Sequence, residues 1–332
     1  MPEERWLKKS GLTVLLTVFF VLSVLILTKT FVQAQAYPVR PIKMIVTYGA
    51  GGATDLMARG ISKVSEKILG QPIIVENNPA GGNLVGLSVL EKSKPDGYTL
   101  AAIPTSAFAW SPHLVKIAYD PVKSFTLISQ ICSYTLLVCG RADGPFKNAK
   151  QLIEYSRTQP NLKFSTPSTN TMHDVVQYVV AKKAGVKWMH VPYKSGMEAI
   201  TSLLGGHVSF CVTNQEQVPF ITSGQLIPLA THSDRRNTYF PDLPTWRDLG
   251  YPVGAETRVG IAGPPGMPKP IVDALSQAFK KAVDDPEYVE LAKNLKAERL
   301  FVGPEEFLKF NRDQYERTRD MLKELGIPIV KQ

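Results

Sequence analysis

Three cysteines in 332 residues, with no C-x-x-C pair among them, leave no framework for a disulfide-built or cysteine-ligated domain. The five histidines, His113, His173, His190, His207 and His232, are too dispersed to form a metal site. No Gly-Lys-Ser or Gly-Lys-Thr occurs, which excludes a Walker-type phosphate loop. No G-x-S-x-G occurs either, and that removes the nucleophile elbow of an α/β hydrolase. Paired carboxylates do not stand out. An enzyme, a metal and a cofactor are therefore not expected. The formal charge of +9 comes from 38 basic and 29 acidic residues that interleave along the chain. Lys309, Arg312, Asp313, Glu316, Arg317, Arg319 and Asp320 show the pattern, which is that of a solvated helix face and excludes a nucleic-acid partner.

One long apolar run is present, from Gly11 to Leu27, behind Arg5, Lys8 and Lys9. Ala34-Gln35-Ala36 follows with the small-x-small form of a signal-peptidase site, so residues 1–36 read as an export leader and Tyr37 as the mature N-terminus. The alternative is a retained anchor, because the run is about as long as the shortest membrane spans, roughly 17 residues. No Cys lies nearby to carry a lipid. An odd number of cysteines in an exported protein leaves at least one thiol unpaired, and Cys132, Cys139 and Cys211 read as small buried hydrophobes.

The most informative stretch is Val46-Thr47-Tyr48-Gly49-Ala50-Gly51-Gly52-Ala53-Thr54-Asp55. Ile42–Val46 reads as a buried strand, and Met57, Ile61, Val64 and Ile68 place one apolar face on a helix. A strand, a glycine-rich turn and a helix N-terminus make an anion cradle, since unpaired N–H groups and the helix dipole both favour negative charge there. Two other readings stand beside it: a tight turn without a ligand, and an incomplete dinucleotide fingerprint with Glu76 as its acidic residue.

Strand-like and helix-like segments then alternate, the pattern of a mainly parallel α/β fold. Strands are expected at 73–75, 98–103, 136–139, 162–166, 188–191, 208–212, 226–230 and 258–262, and helices at 82–94, 147–157, 171–184 and 195–204. Pro104-Thr105-Ser106 reads as a polar turn. Two lobes joined by crossing segments near 135–140 and 224–232 follow, with a ligand cleft beyond the carboxyl ends of the strands. The first lobe takes residues 37–135 and 231–332, the second 136–230. A second cradle should face the first at Thr166-Pro167-Ser168-Thr169-Asn170-Thr171, where Thr171 is a helix N-cap ahead of Val175, Val176, Val179 and Val180.

Tyr37-Pro38-x-Arg40-Pro41-Ile42, Gly51-Gly52-x-Thr54-Asp55 and Gly70-Gln71-Pro72-Ile73-Ile74-Val75-Glu76-Asn77-x-Pro79 resemble the Bug/TctC family, the substrate-binding proteins of tripartite tricarboxylate transporters. Pro95-Asp96-Gly97-Tyr98-Thr99-Leu100, Val191-Pro192-Tyr193-Lys194, Leu203-Leu204-Gly205-Gly206, Pro241-Asp242-Leu243-Pro244-Thr245 and Pro264-Pro265-Gly266 continue the match in order. The resemblance implies a monomeric periplasmic binding protein of the type II, Venus-flytrap class. It would hold a small organic carboxylate between its lobes and deliver it to a permease of one large and one small subunit, or present it to a signalling partner. The site it implies is Tyr48, Ala50, Gly51, Gly52, Ala53, Thr54 and Asp55 in the first turn. Thr166, Ser168, Thr169, Asn170, Thr171 and His173 form the second, with Thr105, Ser106, Thr213 and Asn214 on the floor and wall. Two departures bear on the ligand: Gly49-Ala50 stands where the family carries Pro, and Thr213 stands where many members carry an acid. The loss of that acid argues against a ligand amine. Trp110, Phe108 and Tyr193 read as core or as aromatic walls.

Overall fold

The computed structural model describes residues 37–81, 84–233, 236–255 and 257–330, so the export leader expected over 1–36 lies outside the described residues. The elements below belong to the compact unit that begins at Arg40. Its first half contains β1 (Ile42–Val46), α1 (Ala53–Leu69), β2 (Ile73–Asn77), α2 (Val85–Glu91), β3 (Thr99–Pro104), α3 (Thr105–Ala109), α4 (Ser111–Leu114) and β4 (Thr126–Tyr134). Next come β5 (Leu137–Arg141), α5 (Ala149–Thr158), β6 (Leu162–Thr166), α6 (Met172–Ala184), β7 (Trp188–Pro192), α7 (Gly196–Leu204), β8 (Phe210–Thr213), a 3-10 turn Gln215–Gln217, α8 (Val218–Thr222) and β9 (Leu226–Thr231). The chain ends with β10 (Thr257–Gly263), α9 (Lys269–Val283), α10 (Pro286–Asn294), β11 (Glu298–Val302) and α11 (Pro304–Glu324).

Two sheets define two lobes. The first has six strands in the order β11-β4-β10-β3-β1-β2 and the second five in the order β7-β6-β8-β5-β9. Both are built on one plan. In each, a βαβαβ run lays down three parallel strands with the first in the middle, β2-β1-β3 and β7-β6-β8. An antiparallel strand then flanks the third, β10 beside β3 and β5 beside β8. The sheets are thus mixed rather than mainly parallel. The chain winds outward from β1 and from β6 before returning to the other side, so each lobe opens a crevice at the carboxyl end of its middle strand.

Apolar strands and amphipathic helices account for the cores. In the first lobe Ile45, Ala101 and Ile103 meet Phe108, Phe125 and Phe307. In the second, Phe164 of β6 and its register partner Phe210 of β8 stack with ring centroids 5.3 Å apart, against Trp188, Val176 and Val180. Met57, Ile61 and Val64 on α1 are buried, whereas Ile68, in the last turn before Gly70, is exposed.

Several sequence expectations are corrected. β4 was not expected; its inner residues Ser129 and Gln130 are polar yet buried, and it shows no alternation to read. Thr105 starts a helix instead of lying in a turn. The strand at 226–231 does not carry the chain back to the first lobe: β9 is the edge of the second sheet, antiparallel to β5. The following passage stays there as well, with Trp246, Val253 and Ala255 in the second core and the Ala255 N–H on the His232 carbonyl at 2.7 Å. The chain re-enters the first sheet only at β10. Helix α11 has 21 residues, about 31 Å at 1.5 Å per residue. Phe307 near its start packs in the first core and Leu322 near its end in the second, so it forms a third crossing.

Candidate ligand-binding site

All the sequence-predicted site residues lie at the carboxyl ends of β1, β3, β6 and β8, the equivalent strands of the two lobes. After β1 the chain turns through Thr47–Gly52 into α1. Gly51 has φ +79°, a left-handed conformation that glycine takes without strain. Its N–H donates to Asp55 Oδ2 at 2.9 Å, and Asn77 Nδ2 donates to Asp55 Oδ1 at 2.8 Å. Arg59 Nε lies 3.0 Å from the same carboxylate, and Asn77 Nδ2 also reaches the Tyr48 carbonyl at 2.9 Å. Asp55 is only 2% exposed, so these donors satisfy a buried charge and lock the turn. No side chain caps the helix at Gly52.

The turn after β6 has the same construction. Asn170 has φ +56°, and its N–H donates to Asp174 Oδ2 at 3.0 Å. The Thr171 N–H donates to Asp174 Oδ1 at 2.8 Å, while the Thr171 hydroxyl caps the N–H of His173. In both lobes a left-handed residue precedes the N-cap, and an aspartate four residues on captures its N–H. Burial pushes the Asp174 carboxyl up to about 6, against the pull of the Thr171 and Asn170 N–H groups.

The lobes meet along these turns. The Gly49 N–H donates to the Lys194 carbonyl at 2.8 Å. A Cβ on Gly49 would lie 2.9 Å from that oxygen, and one on Gly51 3.2 Å from Met197 Cγ, so the glycines admit the close approach. Ser111 Oγ donates to the Asn170 carbonyl at 3.0 Å. A cleft of about 430 Å³ opens beside this seam, lined by Pro79, Ala80 and Gly81 of the first lobe and by Ser168, Thr169, Tyr193 and Lys194 of the second.

The predicted residues divide by what their side chains do. Ser168 Oγ is buried without a hydrogen-bond partner among the described residues, and His173 Nε2 and Asn214 Oδ1 are buried within reach of each other's side chains but complete no hydrogen bond of normal geometry. The Thr105 hydroxyl is engaged with both backbone groups of Arg258, accepting at 2.9 Å and donating at 3.2 Å. The Thr166 hydroxyl is held by His190 Nε2 at 2.7 Å and by the Ser168 carbonyl. Ser106 Oγ lies 3.3 Å from the Tyr48 hydroxyl, and Thr213 Oγ1 lies 3.5 Å from the Asn214 carbonyl. Thr54 is buried, Thr169 is half-buried, and Ala50 is exposed at the turn tip. Gly52 and Ala53 are buried at the start of α1. Phe108 and Trp110 are core, while Tyr193 faces the cleft with its hydroxyl on Ser202 Oγ at 2.7 Å.

Three neutral imidazoles surround the second turn. Burial lowers His173 to about 3 and His190 to about 4, and it holds His232 well below the ordinary value. Sequence reasoning missed Asn77 and Arg59, which lock the first turn from a neighbouring strand and helix face. It also missed an acid: Glu216 stands three residues beyond Thr213 and is buried. Burial raises that carboxyl to about 7. Its closeness to Thr213 in sequence was the available signal.

Residues 57–327 match the family model described as "Tripartite tricarboxylate transporter family receptor". A Cupriavidus necator protein described as "UPF0065 protein in gbd 5'region" is 33% identical over 296 residues, covering 89% of this chain and 90% of that protein. The solved structure of the periplasmic binding protein BugD has a TM-score of 0.83 at 29% identity, covering 88% of this chain and 99% of its own. MatC from Rhodopseudomonas palustris, solved with bound malate, has a TM-score of 0.79 at 25% identity, covering 86% and 99%.

Proposed function

We infer the function from the family to which this chain belongs, the tripartite tricarboxylate transporter receptors, and propose that it binds a small organic carboxylate between its lobes and hands it to a two-subunit membrane permease. The observation that carries the reading is the pair of aspartate-locked turns, one per lobe, each opening a helix N-terminus at the seam. Amide N–H groups and the helix dipole attract an anion there without a buried cation. The proposed contacts are Tyr48 and Ala50–Thr54 on one side and Ser168–Thr171 with His173 on the other. Ser106, Thr213 and Asn214 form the floor; Asp55, Thr105 and Thr166 shape the site through the bonds they already make. Charge-assisted hydrogen bonds contribute about 1.5–3 kcal/mol each. Four or five, less the cost of association and closure, reach the roughly 8 kcal/mol of micromolar binding. Closure is a hinge motion of the two lobes, and periplasmic export by the leader completes the proposal.

A thermal-shift panel of organic acids, amino acids and nicotinamide cofactors tests it. At 100 times its dissociation constant a ligand stabilises by about 2.7 kcal/mol. A shift with one class of acid supports the receptor and identifies its substrate class. Silence from every acid together with a response to a cofactor rejects it.

A further inference from the structure

We propose that Glu216 selects the charge of the ligand: it enters the bound state protonated, so that an amine-free carboxylate binds with uptake of one proton. The proposal rests on the receptor reading above. Glu216 lies in the 3-10 turn Gln215–Gln217 that follows β8, and its carboxyl group lies between Gly196 of its own lobe and the Ala53 N–H of the other. A Cβ on Gly196 would lie 1.6 Å from Glu216 Oε1, so the carboxyl group rests on the first turn of α7. From the other lobe the Ala53 N–H, in the first turn of α1, faces the same group, as do the N–H groups of Asn214 and Glu216 itself. Neither carboxyl oxygen completes a hydrogen bond of normal geometry among the described residues, and the residue is 3% exposed.

Two helix N-termini, from helices of 17 and 9 residues, thus converge on one buried carboxyl group. Their partial positive charge opposes an ammonium at this point and favours an anion. A ligand carboxylate brought beside an ionised Glu216 makes a like-charge pair in a dry space, where both cannot stay ionised. Protonation resolves the conflict. The neutral carboxyl donates its O–H to the ligand carboxylate in a short, charge-assisted bond; the proton comes from solvent and returns there on release. Burial already holds this proton near neutral pH. The titratable groups on the surrounding elements are few. They include the buried thiols of Cys211 on β8 and Cys139 on β5, Arg141 at the end of β5 paired with Asp143, Asp55 on α1 with its oxygens engaged and Arg59 beside it, and exposed Lys194 and Glu198 at the start of α7. His173 on α6, within reach of Asn214, is neutral.

Isothermal titration of the purified protein with malate, adipate and aspartate as probes tests this, at about pH 6 and about pH 8.5 in buffers of different ionisation enthalpy. The expected result with malate or adipate is uptake approaching one proton per ligand at the higher pH. Affinity should weaken about tenfold per pH unit above roughly 7 and stay level below it with respect to this group. Glu216→Gln should bind with no proton uptake and with affinity level across the range. Its melting midpoint should gain on the wild type as pH rises from about 4.5 to about 7 and keep a level lead above that, which also reports that the variant folds. Binding by the wild type at the higher pH without proton uptake overturns the proposal alone and leaves the receptor reading standing. So does aspartate binding that tightens with pH and is lost in Glu216→Gln, because Glu216 would then be an ammonium partner. Failure of every acid of the thermal-shift panel, these three included, to bind at either pH overturns both readings.

Discussion

Replacing Asp55 should unlock the first turn, and the damage can be worked out atom by atom. Oδ2 accepts from the Gly51 N–H at 2.9 Å and lies near Arg59 Nε at 3.0 Å, while Oδ1 accepts from Asn77 Nδ2 at 2.8 Å. The Gly51 and Asn77 bonds are partly buried and charge-assisted, about 1.5–3 kcal/mol each in isolation. Arg59 is half-exposed, and its pairing is worth about 0–1 kcal/mol. These values overlap because Asn77 also holds the Tyr48 carbonyl. The expected cost of Asp55→Ala is therefore about 2–4 kcal/mol, or about 3–6 °C in melting midpoint for a chain of this size.

Asp55→Asn sharpens the test. An amide has one acceptor oxygen, so it can serve Gly51 or Asn77 but not both, and its NH₂ then faces a donor. Asn at this position should cost nearly as much as Ala, although Asn is a good turn residue elsewhere. The assay is thermal and urea unfolding of both variants, followed by titration with whichever acid the panel identifies. Affinity should fall with stability, since Gly51 belongs to the proposed cradle. A midpoint drop below about 2 °C for Asp55→Ala, or an Asp55→Asn variant as stable as wild type, would refute the locking role.

Three further outcomes are expected. Gly49→Ala places a methyl 2.9 Å from the Lys194 carbonyl oxygen; overpacking of about 1–3 kcal/mol against closure should weaken acid binding roughly five- to hundredfold, and unchanged affinity would show that the lobes do not close on this contact. His190, lowered to about 4 by burial, binds its proton later in the folded than in the unfolded chain. Its contribution to stability is therefore lost as pH falls from 6.5 towards 4. His190→Phe keeps the stack on Phe164, whose ring centroid is 5.0 Å away, and should narrow the difference in urea stability between pH 4.5 and pH 7.5 by about 1–3 kcal/mol. The thiols of Cys132, Cys139 and Cys211 are buried and pushed up, Cys132 to about 12, so a maleimide should label none in the native protein and three after unfolding. Rapid native labelling would contradict that burial.

The contrast between what was legible and what was not follows from the range of each interaction. Ile42–Val46 is a largely apolar run and Leu162–Thr166 sets Leu162 and Phe164 two apart, both closed by turn residues, and both strands have those bounds. Thr171 caps its helix because a hydroxyl before an apolar-periodic segment is a local signal. β4 is decided by β10 and β11 on either side; Gln130 inside it is held by Arg258 Nη1 at 3.1 Å, a partner 128 residues away. The edge position of β9 is likewise a choice of strand partner, which no periodicity within 226–231 encodes. Most telling is the repeat. The two lobes share one βαβαβ winding, yet no internal sequence repeat announces it. What they do share is a spacing, Gly51 to Asp55 and Asn170 to Asp174, a left-handed residue with its aspartate lock. Either one alone reads as helix capping, and a capping aspartate is common. Only the sheet order puts the two after equivalent strands and turns them towards one seam. Glu216 was overlooked for the same reason: Gly196 and Ala53, which surround it, are 20 and 163 positions away in the chain, and the N-termini they open meet only when both lobes have folded.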